Sequence, residues 1–251
     1  MSTTVVDAVR RIALQPEIAQ AVETSRGAVD ELLWRRDVRS AAAEYTSASR
    51  IRGAQESAAM DGADIAVADD SPMGRVLAAA QAVTGDVPSQ VETWSRAPLQ
   101  VLAHLHAIAA HGAEPDESLG RPRSEGVVID DPLNLGTAPS AREAAGRLAL
   151  LSELVTSARE ESALVVAGVV HGEILAIRPF AWGSGLIARA SVRLVLADRG
   201  VDPSLFSIPE AGMMQMGRTK CVRAVRAYAD GDMTSYFTWF LQSVELGARA
   251  A

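Results

Sequence analysis

The residues whose types and spacing could do chemistry gather around one short loop. Gly183-Ser184-Gly185 lies between an apolar stretch and the start of an amphipathic one, where free backbone N–H groups and a helix dipole can hold an anion. Arg178 precedes this loop, and Arg189 and Arg193 follow it at i,i+4 spacing. Between residues 178 and 226 stand eight basic side chains (178, 189, 193, 199, 218, 220, 223 and 226) and three acidic ones (198, 202 and 210). The plainer reading of the same residues is a glycine-rich turn beside a solvated basic face. The histidines offer less. His104 and His111 would share a helical face and His106 would point away from it, with no acidic pair or cysteine at metal-ligand spacing. Structural or surface roles are expected for them, and no metal site.

Composition sets the frame in which that loop must work. The 251 residues carry a net charge of −7, 48% hydrophobic side chains and only 4% aromatic ones. Disorder, collagen-like repeats and disulfide scaffolds are excluded, and a core of Ala, Val and Leu on closely approaching helices is expected. The acidic balance argues against non-specific nucleic-acid binding, which needs a basic surface to displace counterions. Residues 163–177, the most apolar run, are too short for a span of ~20 residues and contain His171 and Glu173, so a buried helix and no membrane contact are expected. The single Cys221 and an N-terminus without a signal-peptide pattern lead to the expectation of a cytoplasmic protein.

Helical periodicity dominates and supplies the elements that would position the loop. Helices are expected at 9–22 with a break at Pro16, at 28–45, at 51–60 with Asp61-Gly62 as the stop, and at 75–83 after the separator Asp69-Asp70-Ser71-Pro72. Two capping boxes, Ser140-Ala141-Arg142-Glu143 and Ser157-Ala158-Arg159-Glu160, are read as opening helices towards Val155 and Ile177. Ser184 and Asp232 are read as caps of two further helices. Residues 112–139 break the pattern with Gly, Pro and Asp around the β-like Gly126-Val127-Val128-Ile129-Asp130, a long loop or hairpin of the length that often carries function.

The loop sits in a longer pattern. Ile177-Arg178-Pro179-Phe180-Ala181-Trp182-Gly183-Ser184-Gly185-Leu186-Ile187-Ala188-Arg189 resembles, in register, the signature H-P-F-x-D/E-G-N-G-R-x-x-R of Fic (Fido) proteins. The flanks are similar to that family too: His171 to Ile177 before the signature, Ser207-Ile208-Pro209-Glu210 after it, and Leu105-His106 with Gly120-Arg121-Pro122-Arg123 and Val127-Val128-Ile129 as its helix and flap. Ser57-Ala58-Ala59-Met60-Asp61-Gly62 resembles the inhibitory motif S/T-x-x-x-E-G/N, with Asp61 where Glu is usual. The resemblance implies an all-α fold, mainly helical: a Fic-like core at 96–251 with a small β-hairpin flap, and an N-terminal helical extension at 1–95. It implies AMP transfer to a protein, with a histidine base, an acidic metal ligand, and an asparagine and arginine on the nucleotide phosphates.

This chain departs from the pattern at those chemical positions. They hold Arg178, Trp182, Ser184 and Leu186, while Pro179, Phe180, Gly183, Gly185 and Arg189 match. Arginine stays protonated and cannot act as a base, Trp has no oxygen for a metal, and Leu removes a phosphate donor. Arg178 and Trp182 admit two uses, a clasp for an anionic or planar ligand or an ion pair beside a packed plug. The expectation is a degenerate Fic-fold protein with no catalytic residue, acting by binding a protein partner or a small anionic ligand. Arg178, Gly183, Ser184, Gly185 and Arg189 form the remnant nucleotide or anion site, taking a nucleotide, if any, without Mg²⁺; Ser57, Asp61 and Gly62 form the inhibitory-like motif. Homodimerisation is implied by the resemblance alone. The alternative is a nucleotidyltransferase with atypical residues, in which His171 replaces the missing base; His171 is expected to be buried instead. If Asp61 pairs with Arg178 or Arg189, the inhibitory helix is a permanent strap.

Overall fold

The computed structural model of the chain describes residues 3–63, 69 and 71–251; Met1, Ser2, residues 64–68 and Asp70, with part of the expected separator and N-terminus, lie outside. Among the described residues the fold is helical: α1 Thr3–Ala13, α2 Pro16–Trp34, α3 Arg36–Ser40, α4 Ala42–Met60, α5 Pro72–Trp94, α6 Pro98–Ala110, α7 Ala141–Ser157, α8 Ala163–Ile177, α9 Ser184–Asp198, α10 Pro209–Met216, α11 Arg218–Ala229 and α12 Met233–Arg249. No described helix is long and apolar enough to cross a membrane.

The break expected at Pro16 is present, because proline has no N–H to give the preceding turn and opens α2 instead. The helix expected at 28–45 is divided. Arg35 leaves helical geometry, its guanidinium and the Tyr45 hydroxyl converge on Asp37, and that side-chain clamp turns the corner between α2 and α4. Helix α5 runs well beyond the expected 75–83, through Pro88 to Trp94, since Val83, Val87 and Trp94 continue its buried face. Ser71 caps it, accepting from the Gly74 N–H at 3.0 Å.

Ser140 and Asp232 cap α7 and α12 as their sequence patterns indicate, accepting from Glu143 and Ser235 N–H. The second capping box does not cap. Ser157 ends α7, whose last carbonyls, on Val155 and Ala158, accept from the Arg199 guanidinium, and Ser162 opens α8. Nor is Ser184 a cap: Gly183, at φ 73°, is the N-cap of α9 and Ser184 its first residue.

Helix α8 is apolar on nearly every side and packs along α9; α5 covers α9 from another side, α4 lies on α5, and α12 is gripped between α2 and α10. One hydrophobic cluster runs through all of them from Val9 to Ala248. The expected β-hairpin does not form among the described residues, whose one β-bridge joins His111 and Glu114. Residues 121–130 are instead an extended loop pinned to the turn after α8, with Arg123 N–H donating to Pro179 O at 2.8 Å and Asp130 N–H to Ala181 O at 2.7 Å. The β-like pattern finds a partner backbone in that turn rather than in a second strand.

Candidate functional site

Arg178 is the C-cap of α8 and sits at φ 42°, ψ 70°, a left-handed conformation in which glycine is the usual residue. The conformation turns the chain sharply and lets the side chain reach Asp131, with Arg178 Nη1 2.8 Å from Asp131 Oδ2. Asp131 is itself prearranged by the Leu135 and Gly136 N–H groups at 3.0 and 3.1 Å, so residues 131–136 curl around its carboxylate. Arg123 braces the same corner from behind, donating to the carbonyls of Arg178, Pro139 and Ile177.

Arg189 and Arg193 do not form a solvated basic face; both are buried, at 1% and 2% exposure. Helix α4 supplies partners to both, and α10 supplies the carboxylate that pairs with Arg193. Arg189 donates from Nε to Ser57 Oγ at 2.7 Å and from Nη2 to Ser57 O and to Asp61 Oδ2, at 3.0 and 2.7 Å. One turn on, Arg193 makes a two-pronged pair with Glu210 at 2.7 and 2.9 Å and also donates to the Ser49 hydroxyl and carbonyl. Ser49, Gly53, Ser57 and Asp61 thus form one stripe of α4 at four-residue spacing that matches two arginines of α9. Gly53 belongs to the stripe because a Cβ there would stand 2.2 Å from Arg193 Nη2. Gly62 follows at φ 88° and closes the α4 end.

The Asp61 carboxylate lies against Gly185 at the N-terminus of α9, both of its oxygens 2.9 Å from where a Cβ on that glycine would be. Together with Asp130, Asp131, Arg178 and Gly183-Ser184-Gly185 it lines a narrow cleft, with Pro132, Leu133, Leu135 and Leu175 as its apolar lining. The positive end of α9 therefore faces three carboxylates of its own chain. Burial, and then the neighbouring Asp61 and Asp131 charges, push the Asp130 carboxyl up from its ordinary value.

The remaining signature positions are structural. The Ser184 hydroxyl donates to Phe180 O and accepts from Phe180 N–H, tying the loop to itself. Leu186 is buried, and Trp182 packs half-buried against the core without lining the cleft. These residues do not fit a divalent metal: the position to which the resemblance assigns the metal-binding acid is an indole, and among the described residues no three His, Cys, Asp or Glu side chains are placed so as to hold a metal ion.

His171 is buried and points elsewhere. The Tyr236 hydroxyl gives its one proton to Gly168 O at 2.7 Å, so it accepts from a protonated His171 Nδ1 at 2.9 Å. Burial, reinforced by Arg189, lowers the imidazole to about 3. His106 is a site residue whose place the sequence analysis missed. It stacks on Phe180 of the signature, ring centroids 4.1 Å apart, and accepts the Gly120 N–H at Nδ1. The signal available was its spacing from Leu102 and Ala109, which puts it on the buried face of α6. His104, in contrast, is exposed and meets Asp86 of α5, and His111 ends α6.

No protein-family profile matches the sequence, and no curated protein matches it. Solved structures do match. A Fic family protein from Desulfovibrio desulfuricans G20 superposes with a TM-score of 0.76 at 20% identity, over 94% of this chain and 74% of that one. Fic-1 from C. elegans superposes with a TM-score of 0.72 at 13% identity, over 93% and 71% of the two chains. This chain has the Fic fold. At such identities the likeness is one of fold.

Proposed function

We propose that this Fic-fold protein is a binding or regulatory protein that does not transfer AMP. The observation that carries the reading is the state of Arg178. It stands where the resemblance puts the base, a guanidinium is a donor with no acceptor site for a substrate proton, and Asp131 holds it within a strained turn. Loss of an acid–base group alone costs ~10²–10⁴ in rate, and loss of phosphate and metal contacts adds to that. Asp61, held on Arg189, supports the same reading, since a triphosphate approaching the α9 N-terminus would meet Asp61, Asp130 and Asp131 before any free donor.

The binding surface of this reading is the loop that leads into the cleft, where Val127 and Val128 are exposed at 45% and 89% and where the basic helix α11 holds the carbonyls of Pro132 and Asn134 through Arg218 and Arg226. A protein partner there, a second copy included, is the proposed occupant. The second reading, group transfer with atypical residues, has one observation in its favour: the Asp130 carboxyl, raised and facing the cleft, is a candidate base. Calorimetric titration with ATP, GTP, CTP, UTP and ADP, each with and without Mg²⁺, separates the two. The binding-protein reading expects no Mg²⁺-dependent nucleotide isotherm; a saturable one would favour the transferase.

A further inference from the structure

One helix of this acidic chain is basic along its exposed side. Helix α11 holds Arg218, Lys220, Arg223 and Arg226 and no acidic side chain, in a chain whose net charge is −7 with these four included. All four are exposed. The two arginines of α9 are matched by Asp61 and Glu210, whereas among the described residues no carboxylate forms an ion pair with any of the four cations of α11. Arg218 and Arg226 donate to the carbonyls of Pro132 and Asn134, which fixes two guanidinium groups without neutralising them. Lys220 and Arg223 have neither a hydrogen bond nor an ion pair with the described chain.

The arrangement of these charges decides what they fit. Arg218, Thr219, Arg223 and Arg226 line one open groove, with the partly buried Val222 and Ala227 between them and Asp230 and Asp232 beyond the C-terminal end of the helix. From Arg218 to Arg226 the helix rises by ~12 Å. Cations spread over that length do not converge on one phosphate group; they match a row of carboxylates on a peptide. A continuous polyanion such as duplex nucleic acid would run on past the helix, over Asp230 and Asp232 and the rest of an acidic chain. A short acidic segment ends where the basic row ends, and its side-chain methylenes find Val222 and Ala227 between the charges.

The geometry points to α11 as a docking face for an acidic segment of a partner protein, its glutamate or aspartate side chains on Arg218, Arg223 and Arg226 with Lys220 beside them. This assignment rests on the chain being a binding protein and adds the chemistry of the partner. Because Arg218 and Arg226 also hold residues 132 and 134, the docked segment lies next to the loop that lines the cleft. No bond is made or broken.

The test is fluorescence anisotropy of the full chain with labelled hexa-L-glutamate, hexa-L-glutamine and a short DNA duplex. The glutamate peptide is expected to bind saturably and to weaken steeply as salt is raised, with no binding of the glutamine peptide and weaker binding of DNA. Lys220→Glu combined with Arg223→Glu alters two exposed side chains without partners, so the fold is preserved; it should weaken the glutamate peptide by roughly tenfold or more. Arg96→Glu, an exposed cation outside the groove, should leave the affinity within about twofold. No saturable binding of the glutamate peptide, an affinity indifferent to salt, DNA bound as tightly as the peptide, or unchanged affinity in the double variant would each overturn the proposal. A wild-type dimer that the double variant dissociates would give the face to a second copy and overturn it too. Failure here is separable from failure of the reading it rests on, because AMP incorporation is measured independently and would refute the non-transferase reading alone.

Discussion

Asp61 and Arg189 form the contact on which the inhibitory-like segment depends. Arg189 is buried, so removing its carboxylate leaves an uncompensated charge in the core with only Ser57 to satisfy it. Asp61→Ala should therefore cost about 3 kcal/mol, which a chain of this size registers as a Tm lower by about 6–12 °C. An unchanged melting temperature would reject the strap. The buried histidines predict a pH dependence of definite sign. Burial lowers His106 to about 4 and His171 to about 3, below the ordinary 6.5 of the unfolded chain. Their folded forms bind fewer protons than the unfolded ones, so their contribution is complete above about pH 6.5 and is lost as pH falls from there towards 4 and 3. Each histidine should contribute up to ~1.4 kcal/mol per pH unit in that window. Urea unfolding at pH 7 and pH 5 should show lower stability at pH 5, with a smaller difference in His106→Gln; equal stability at the two values would contradict the burial argument.

Helix α4 is bound to α9 through a stripe in which Gly53 has no substitute. An alanine there would favour the helix intrinsically but would drive a methyl group into the Arg193 guanidinium, itself fixed by Glu210 and Ser49. Gly53→Ala should lose about 2 kcal/mol, read as a lower urea midpoint with the slope unchanged, and a gain in stability would show that the stripe is loose. Most of the helices were legible because their apolar faces repeat at 3.6 residues, and two of the caps because Ser140 and Asp232 stand at them. Ser157 misled because a capping box is local, whereas Arg199, forty residues away, is what closes α7. Residues 126–130 misled in the same manner. Their β-like composition specifies an extended backbone but does not say which backbone it will meet, and here Asp130 meets Ala181, as Arg123 before it meets Pro179. Asp131, the partner of Arg178, lies far from it in sequence and carries no motif, and the flank that contains Glu210 does not say that it pairs with Arg193, so the ion pairs that close the site could not be assigned from spacing.

The whole molecule is a Fic-fold helical protein whose signature turn, strap and central helices share one core. Cys221 reports on that core. Burial pushes its thiol up to about 12, so a thiol-specific reagent at neutral pH should fail to label the folded chain and should label it fully in denaturant; fast labelling of the native protein would mean that α11 opens readily. The matching positions of the signature, Pro179, Phe180, Gly183, Gly185 and Arg189, are those that shape the turn, and the departing ones are those the resemblance assigns to chemistry. In a protein that is only held inactive, releasing Asp61 would restore transfer; in one whose turn has lost its base, it would not. The decisive measurement is therefore incubation of the wild type and Asp61→Ala, the latter below its melting temperature, with ATP labelled at the α-phosphate, Mg²⁺ and a cell extract. The account predicts no labelled protein attributable to either form. Label that appears with Asp61→Ala, and disappears when Asp130 is also replaced, would contradict it and identify the chain as a restrained transferase.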